Sequence, residues 1–309
     1  MTSLRRAAAQ SVSEFVSFVD QMRTVTASGL WFRGHADCRW MLAPSALRAL
    51  SPITDGRGNP VKSTAALWSG GGQVTGLNPE RMLHLFKQRS RPFLRELPAN
   101  DFEWMFLAQH HGLPTRLLDW STNALVALFF ALERAPTTEL DGQDACDAFM
   151  AGDGSADDQG CAVFVVDPGQ LNDAFGHPRA PINISERLED WRRYVDPVGT
   201  GDAYFPVCIN APYASERIRA QSGAFTLHGS NTWAIDYYSA LQDKITKIFI
   251  PYSAVAQMRV GLRRLGMTRS FIYADLDSVA ADVAAFEQDV LARALEQQDA
   301  EFDEGNDGL

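Results

Sequence analysis

The segment Trp31-Phe32-Arg33-Gly34-His35 sets a guanidinium between two aromatics and a residue without a side chain. An arginine anchored by buried aromatics presents a planar, permanently charged fork to a phosphate or carboxylate, and Gly34 permits close approach of another group. Taken alone, Arg-Gly fits a structural salt bridge better than a site. A second run, Gln109-His110-His111-Gly112-Leu113-Pro114-Thr115-Arg116-Leu117-Leu118-Asp119-Trp120, is denser in polar groups and continues into Ser121 and Thr122. It lies between two strongly apolar stretches, where an unpartnered polar group costs about 1–3 kcal/mol. Either the run satisfies itself, with Arg116 paired to Asp119 and His110 bonded to backbone, or a ligand completes the bonding. A run of this length fits a site better. Ser121 or Thr122 sits where a helix N-cap belongs, and a buried helix behind it would offer free amides and a positive dipole end to an anion. A third segment, Gln221-Ser222-Gly223-Ala224-Phe225-Thr226, follows Arg217 and Arg219 and reads as a turn into a strand. Its local pattern leaves the roles of Gln221 and Glu216 open.

The elements that must position these groups follow from periodicity. Ser11-Val12-Ser13-Glu14 has capping-box spacing, and Phe15, Phe18, Val19 and Met22 share the helical face that follows, up to Ser28-Gly29. Residues 30–34 read as a short strand ending at a glycine. Helices are expected over 80–97, over 102–111 (stopped by Gly112 and Pro114), and over 122–134, the last apolar all round and therefore interior. Short apolar runs at 161–167, 245–251 and 270–274 read as strands, with a helix over 258–265 between the last two. Residues 52–76, rich in Gly, Pro, Ser and Thr, read as an exposed connection; Gly70-Gly71-Gly72 lacks the Gly-Lys-Ser/Thr of a phosphate loop. Residues 137–160 read as an acidic insertion and 279–296 as a terminal helix with an acidic, disordered tail. The pattern divides the chain into an N-terminal helix within 1–29, a main domain over 30–280, and a helix with tail over 281–309. The expected fold class is α+β, a mixed α/β domain.

Composition narrows the function classes. The 309 residues are 46% hydrophobic and 21% charged, enough for a large core. A net charge of −10 argues against nucleic-acid binding driven by overall charge, although the acids cluster in the insertion and the tail and leave room for a local cationic pocket. Cys38, Cys146, Cys161 and Cys208 are scattered, as reduced, buried thiols are. No apolar run has the length of a signal peptide or a membrane span, so the chain is expected to be cytoplasmic. His110 and His111 are adjacent and point about 100° apart on a helix, and H-E-x-x-H is absent, so no metal is expected. Asp153, Ser155 and Asp157 resemble a calcium loop only faintly, with Asp158 and Phe164 where a glycine and an acid belong. No G-x-S-x-G marks a hydrolase.

At Phe32-Arg33-Gly34-His35, Trp40, Leu42, Pro44-Ser45, Arg48, and above all from Gln109-His110 through Asp119-Trp120 to Ala127-Leu128-Phe129-Phe130-Ala131, the chain resembles the FRG domain family. Gln221, Gly223 and Phe225-Thr226 fit its later part more loosely. A more distant resemblance is to ADP-ribosyltransferases, many of which open their NAD site with an aromatic-Arg-Gly strand and follow it with Ser/Thr ahead of a helix and a later glutamate. Phe32-Arg33-Gly34 looks like the first element and Ser121-Thr122-Asn123 like the second. In the third place this chain has Gln221, with Glu216 nearby. The resemblance implies a split β-sheet with helical additions and NAD as substrate, without a metal. Arg33 would hold the dinucleotide, Thr115 or Ser121 would position the ribose, and Asp119 or Glu216 would supply negative charge. Phe32, Gly34, His35, Gln109, His110, Arg116 and Thr122 would complete the nucleotide contacts. The implied role is an ADP-ribosyltransferase or NAD glycohydrolase acting on a macromolecular acceptor, as a toxin or anti-phage defence effector. The alternatives are a non-catalytic module binding a nucleotide or other anion, and a protein-interaction domain whose polar residues are structural.

Overall fold

A computed structural model describes residues 4–48, 77–139, 141–152, 154–186, 188–195, 203–210, 216–231 and 233–306. Its strands are β1 (Arg5–Ala8), β2 (Trp31–His35), β3 (Leu117–Ser121), β4 (Gly160–Val166), β5 (Val207–Asn210), β6 (Gly223–Leu227) and β7 (Ile245–Pro251). They form one mixed sheet of seven strands in the order β1-β7-β4-β2-β3-β6-β5, in which β1 and β7 run parallel and the other neighbours antiparallel. Every residue of β4 is buried, because helices cover this part of the sheet on both faces, and so its sequence is a continuous apolar run rather than an alternating one.

The helices that frame the site are α1 (Val12–Gln21), α2 (Pro79–Ser90), α3 (Asp101–His110), α4 (Ala124–Glu133), α5 (Gly142–Ala151), α6 (Glu216–Ala220), α7 (Tyr252–Arg264), α8 (Arg269–Tyr273) and α9 (Leu276–Asn306). On one face α4 packs with α1 and α7 around Phe15, Phe32, Val126, Leu128, Ile248 and Met258. The opposite face carries Trp31, Leu118, Trp120, Phe149, Phe164 and Phe249. A third cluster seats α3 on β3, β5 and β6 through Phe106, Leu117, Val207, Phe225 and Leu227.

Two features of the sheet create the site. A Cβ on Gly34 would lie 1.9 Å from the Ala127 carbonyl oxygen and 2.4 Å from the Ala131 amide, so only glycine lets α4 rest its backbone on β2. The close approach that Arg33-Gly34 permits is therefore to a helix. In addition, β2 and β3 share one paired position, Phe32 with Ser121. Beyond that pair the strands separate and the centre of the sheet opens.

Several expectations need correction. Residues 1–29 hold a strand as well as a helix: β1 was not legible, and α1 ends at Gln21, well before Ser28-Gly29. The helix expected over 80–97 stops at Ser90 and passes into a single tighter turn at Arg91–Phe93, where Pro92 lacks the amide to continue it. The strand expected to stop at Gly34 runs on to His35. The 270–274 run is not a strand but helix α8, capped by the Thr268 hydroxyl and ended by Ala274 in the left-handed region. Within 137–160, α5 buries Ala145, Cys146 and Phe149, so this stretch contributes to the core. The acidic tail continues α9 to Asn306. Residues 52–76 and Asp153 lie outside the described residues. No described helix is long and apolar enough to cross a membrane.

Candidate functional site

The opening between β2 and β3 is a cavity of about 460 Å³. Arg33, Gly34 and His35 of β2 line it, with Asp119, Trp120 and Ser121 of β3 opposite. Gln109 and His110 reach it from the end of α3, Ala127, Phe130 and Glu133 from α4, and Gln221 and Tyr273 from beyond. Both polar runs singled out in the sequence thus meet at one place.

A chain of hydrogen bonds fixes the polar wall. The Thr115 hydroxyl donates to Oε1 of Gln109, which settles the orientation of that amide. The Gln109 Nε2 then donates to Oδ1 of Asp119 over 2.7 Å. On the other side of the carboxylate, Nη1 of Arg33 lies 3.7 Å from Oδ2 of Asp119 and donates to the Asp119 carbonyl, a backbone acceptor at the point where the β2–β3 ladder has ended. The Arg33 Nε donates to Nε2 of His35 over 2.8 Å, and Nδ1 of His35 faces the Trp40 carbonyl at 3.0 Å. Arginine can only donate, so Nε2 accepts and the ring carries its proton on Nδ1.

Electrostatics agree with that tautomer. Burial, followed by the charges of Arg33 and Arg48, holds His35 well below its ordinary 6.5. Burial lowers the Arg33 guanidinium to about 10, opposed by Asp119, and it stays charged at neutral pH. Arg48 is a second cation on the cavity wall, held by the Ala43 carbonyl at 2.8 Å and lowered by burial against the pull of Asp119. The Asp119 side chain is 60% exposed, so it faces the opening and is not sealed in the core. Across the cavity the Glu133 carboxylate pairs with Arg269 and accepts from the Tyr273 hydroxyl over 2.6 Å.

Of the expected site residues, Phe32, Arg33, Gly34, His35, Gln109, His110, Asp119, Ser121 and Gln221 line the cavity. Others do not. Arg116 is buried at 1% exposure and donates to Glu80 on α2 and to the Gly229 carbonyl at 2.7 Å. It does not pair with Asp119 as the sequence reading allowed, and it braces α2 against the end of β6. Thr115 is equally buried and acts by orienting Gln109. Thr122 is exposed, off the cavity, and bonded through its amide to the Ser222 carbonyl at 2.9 Å. Neither Ser121 nor Thr122 caps α4: Asn123 does, accepting from the Leu125 amide at 3.0 Å. The cavity meets α4 along its middle and C-terminal half, so the positive end of the helix does not contribute. Ser121 donates its hydroxyl to the Gln221 carbonyl over 2.7 Å, and the Gln221 amide reaches the Ile272 carbonyl at 3.3 Å. The side chain of Glu216 lies outside the described part of the structure.

Arg48, Trp40, Glu133, Arg134 and Tyr273 line the cavity without having been singled out as site residues. Trp40 and Arg48 belong to the motif that carries the family resemblance, and a signal existed for two of the others as well. Ala127, Phe130, Glu133 and Arg134 follow helical spacing, so the polar end of an apolar helix shares a face with its middle. Cys38 and Cys161 are buried, and burial raises their thiols to about 11 and about 12, which makes neither a nucleophile. Among the described residues, no group of three or more His, Cys, Asp or Glu is placed to hold a metal.

Fold and site together define a mixed α/β protein with an arginine-bearing cavity at a break in its sheet. Residues 28–139 match the family model of the FRG domain, so the chain carries an FRG domain over the stretch that supplies β2, β3, α3, α4 and most of the cavity wall. No curated protein and no solved structure matches the chain.

Proposed function

We propose that the cavity between β2 and β3 is a nucleotide site, that NAD is its ligand, and that the chain transfers ADP-ribose to a macromolecular acceptor or to water. The observation that carries this reading is the meeting of Arg33 and Arg48 in one cavity of about 460 Å³ walled by Phe32, Trp40, Phe130 and Phe225. Aromatic walls suit a base, and two fixed guanidiniums suit a diphosphate. With its Nε on His35 and its Nη1 on the Asp119 carbonyl, Arg33 presents Nη2 to phosphate oxygens. Its orientation is set beforehand, which reduces the ordering cost of binding.

Breaking the bond between nicotinamide and ribose develops positive charge on the sugar, and a carboxylate on the same wall stabilises it. Among the described residues, Asp119 and Glu133 are the acids that line the cavity, and the Asp119 side chain is the more exposed of the two. Gln221 stands where the resembling enzymes carry glutamate and offers an amide to orient the sugar. Two features favour the second reading, a binding module without turnover. Gln221 carries no charge, and Glu133 is already held by Arg269 and Tyr273.

Incubating the purified protein with NAD, with and without cell lysate or nucleic acid as acceptor, and following free nicotinamide separates the readings. Release that disappears in Arg33→Ala supports transfer. Binding without release supports the module, and absence of both contradicts the nucleotide site.

A further inference from the structure

Helix α2 packs on one side and turns a row of arginines outward on the other. Pro79, Leu83 and Phe86 recur at helical spacing and face the body, where Phe86 meets Trp104 edge to face at 6.3 Å. The opposite side carries Arg81, His84, Gln88 and Arg91 at steps of three and four, with Arg89 beside them, and all five are exposed. The chain has a net charge of −10, yet no aspartate or glutamate occurs between Arg81 and Arg95. Lys87 in this stretch pairs with Asp101. Among the described residues, Arg81, Arg89, Arg91 and Arg95 pair with no acid. Of the other acids near this stretch in sequence, Glu80 holds Arg116, and Glu103 accepts from the Ala99 amide at 2.7 Å and from Asn100 at 2.8 Å. Glu96, beside Arg95, is the exposed acid that remains.

The turn after the helix adds a ring. Over Arg91–Phe93 the chain tightens, Leu94 packs against the core, and Phe93 is left 85% exposed and outside all three core clusters. Arg81 and Arg91 stand about 15 Å apart along the axis, at about 1.5 Å per residue. Over that length a stacked strand carries about four phosphates, one per roughly 3.4 Å. The planar fork of arginine matches phosphate oxygens, and its face stacks on a base as the ring of Phe93 does. A ligand that supplies both phosphates and uncovered flat rings is a single strand of nucleic acid. In a duplex the bases cover one another and are closed to Phe93. The sign of the local charge decides such contacts, because at physiological salt charges beyond about 8 Å are largely screened. A lipid surface fits less well. The apolar side of α2 is already turned to Trp104 and the core, so the helix cannot lie on a bilayer with that side down.

We propose that the outward side of α2 and the turn after it bind single-stranded nucleic acid, with Arg81, Arg89, Arg91 and Arg95 on the phosphates and Phe93 against an unpaired base. The patch shares no residue with the β2–β3 cavity, and the proposal does not depend on the nucleotide reading.

The test uses the full chain and fluorescently labelled oligothymidylate and oligouridylate of about twelve nucleotides. Duplex DNA of the same length, a polyglutamate peptide and vesicles of phosphatidylserine in phosphatidylcholine are the counterparts. Anisotropy titrations are expected to show binding of the single strands, and the tighter of the two identifies the sugar. Log affinity is expected to fall against log salt with a slope of about −2 to −3, from about −0.7 for each phosphate contact. In Arg81→Gln/Arg89→Gln/Arg91→Gln, affinity is expected to drop at least tenfold and the slope to flatten by about 2. In Phe93→Ala, affinity is expected to drop about fivefold or more with the slope unchanged. All four side chains face solvent, so an unchanged circular dichroism spectrum and melting temperature show that the variants fold. No binding of either oligonucleotide overturns the proposal, and so does binding that both variants leave undiminished. Duplex or polyglutamate bound as tightly as the single strands reduces the effect to charge attraction and also overturns it. Binding to the vesicles without binding to the oligonucleotides replaces it with a membrane surface.

Discussion

Arg33 and His35, two residues apart on β2, are joined by a hydrogen bond of 2.8 Å from the guanidinium Nε to the imidazole Nε2. This contact ties the direction of the arginine fork to a neutral histidine. Protonating His35 would set N–H against N–H and add a cation beside Arg33 and Arg48.

Stability is therefore expected to fall in acid. Burial holds His35 well below 6.5 and brings His228, whose two ring nitrogens have no partner among the described residues, to about 3. Below the ordinary 6.5 the unfolded chain takes up these protons and the folded chain does not. For His228 the stability is thus complete above that value and is lost as the pH falls from it toward about 3, and His35, also lowered by burial, adds a loss of the same sign below its ordinary value. Urea midpoints at neutral and mildly acid pH measure the loss, and His228→Phe is expected to shrink it. Equal midpoints at the two pH values contradict the assignment.

Asp119 both occupies Arg33 and faces the cavity, which gives its removal a split outcome. In Asp119→Asn the carboxylate no longer competes for the guanidinium, and NAD is expected to bind several-fold tighter while nicotinamide release falls at least tenfold. Loss of binding and release together would show that Asp119 orders the wall and has no role in the chemistry.

Gly34→Ala is expected to damage the fold before the ligand site. Its Cβ would meet backbone atoms of α4, which cannot move aside as a side-chain tip can. Overpacking of this kind costs about 1–3 kcal/mol or more, seen as a lower urea midpoint with an unchanged slope. A variant as stable as the parent would show that α4 does not press on β2.

Arg116→Met separates structure from function in the second polar run. It leaves the Glu80 carboxylate and the Gly229 carbonyl without their donor. The expected cost lies toward the lower end of about 3–5 kcal/mol, because Glu80 remains 22% exposed. At temperatures where the variant is folded, NAD affinity is expected to match the parent, and a selective loss of affinity would return Arg116 to the site.

The sequence disclosed those parts that burial alone marks. The strands expected over 161–167 and 245–251, observed over 160–166 and 245–251, were readable because burial leaves an unbroken apolar run, and the pairing of the Arg33 and Gln109–Asp119 segments rested on their polar density and the family resemblance. What was hidden depends on distant pairing. Arg5-Arg6-Ala7-Ala8 has little strand preference and is a strand because β7 offers it an edge. Phe271-Ile272-Tyr273 favours a strand by type, yet the Thr268 cap sets a helix. Arg116 has a nearby acid in Asp119 and takes Glu80, which lies 36 positions away. Glu133 closes an apolar helix and reads as its solvent end until Arg269 and Tyr273 are seen to hold it at the cavity.

Titration calorimetry of NAD into the parent chain and into Arg33→Ala measures whether Arg33 holds the dinucleotide in the β2–β3 cavity. A saturable one-site isotherm is expected for the parent, and an affinity at least tenfold lower in Arg33→Ala, with similar melting temperatures. No binding to the parent, or equal affinities for the two proteins, would contradict it.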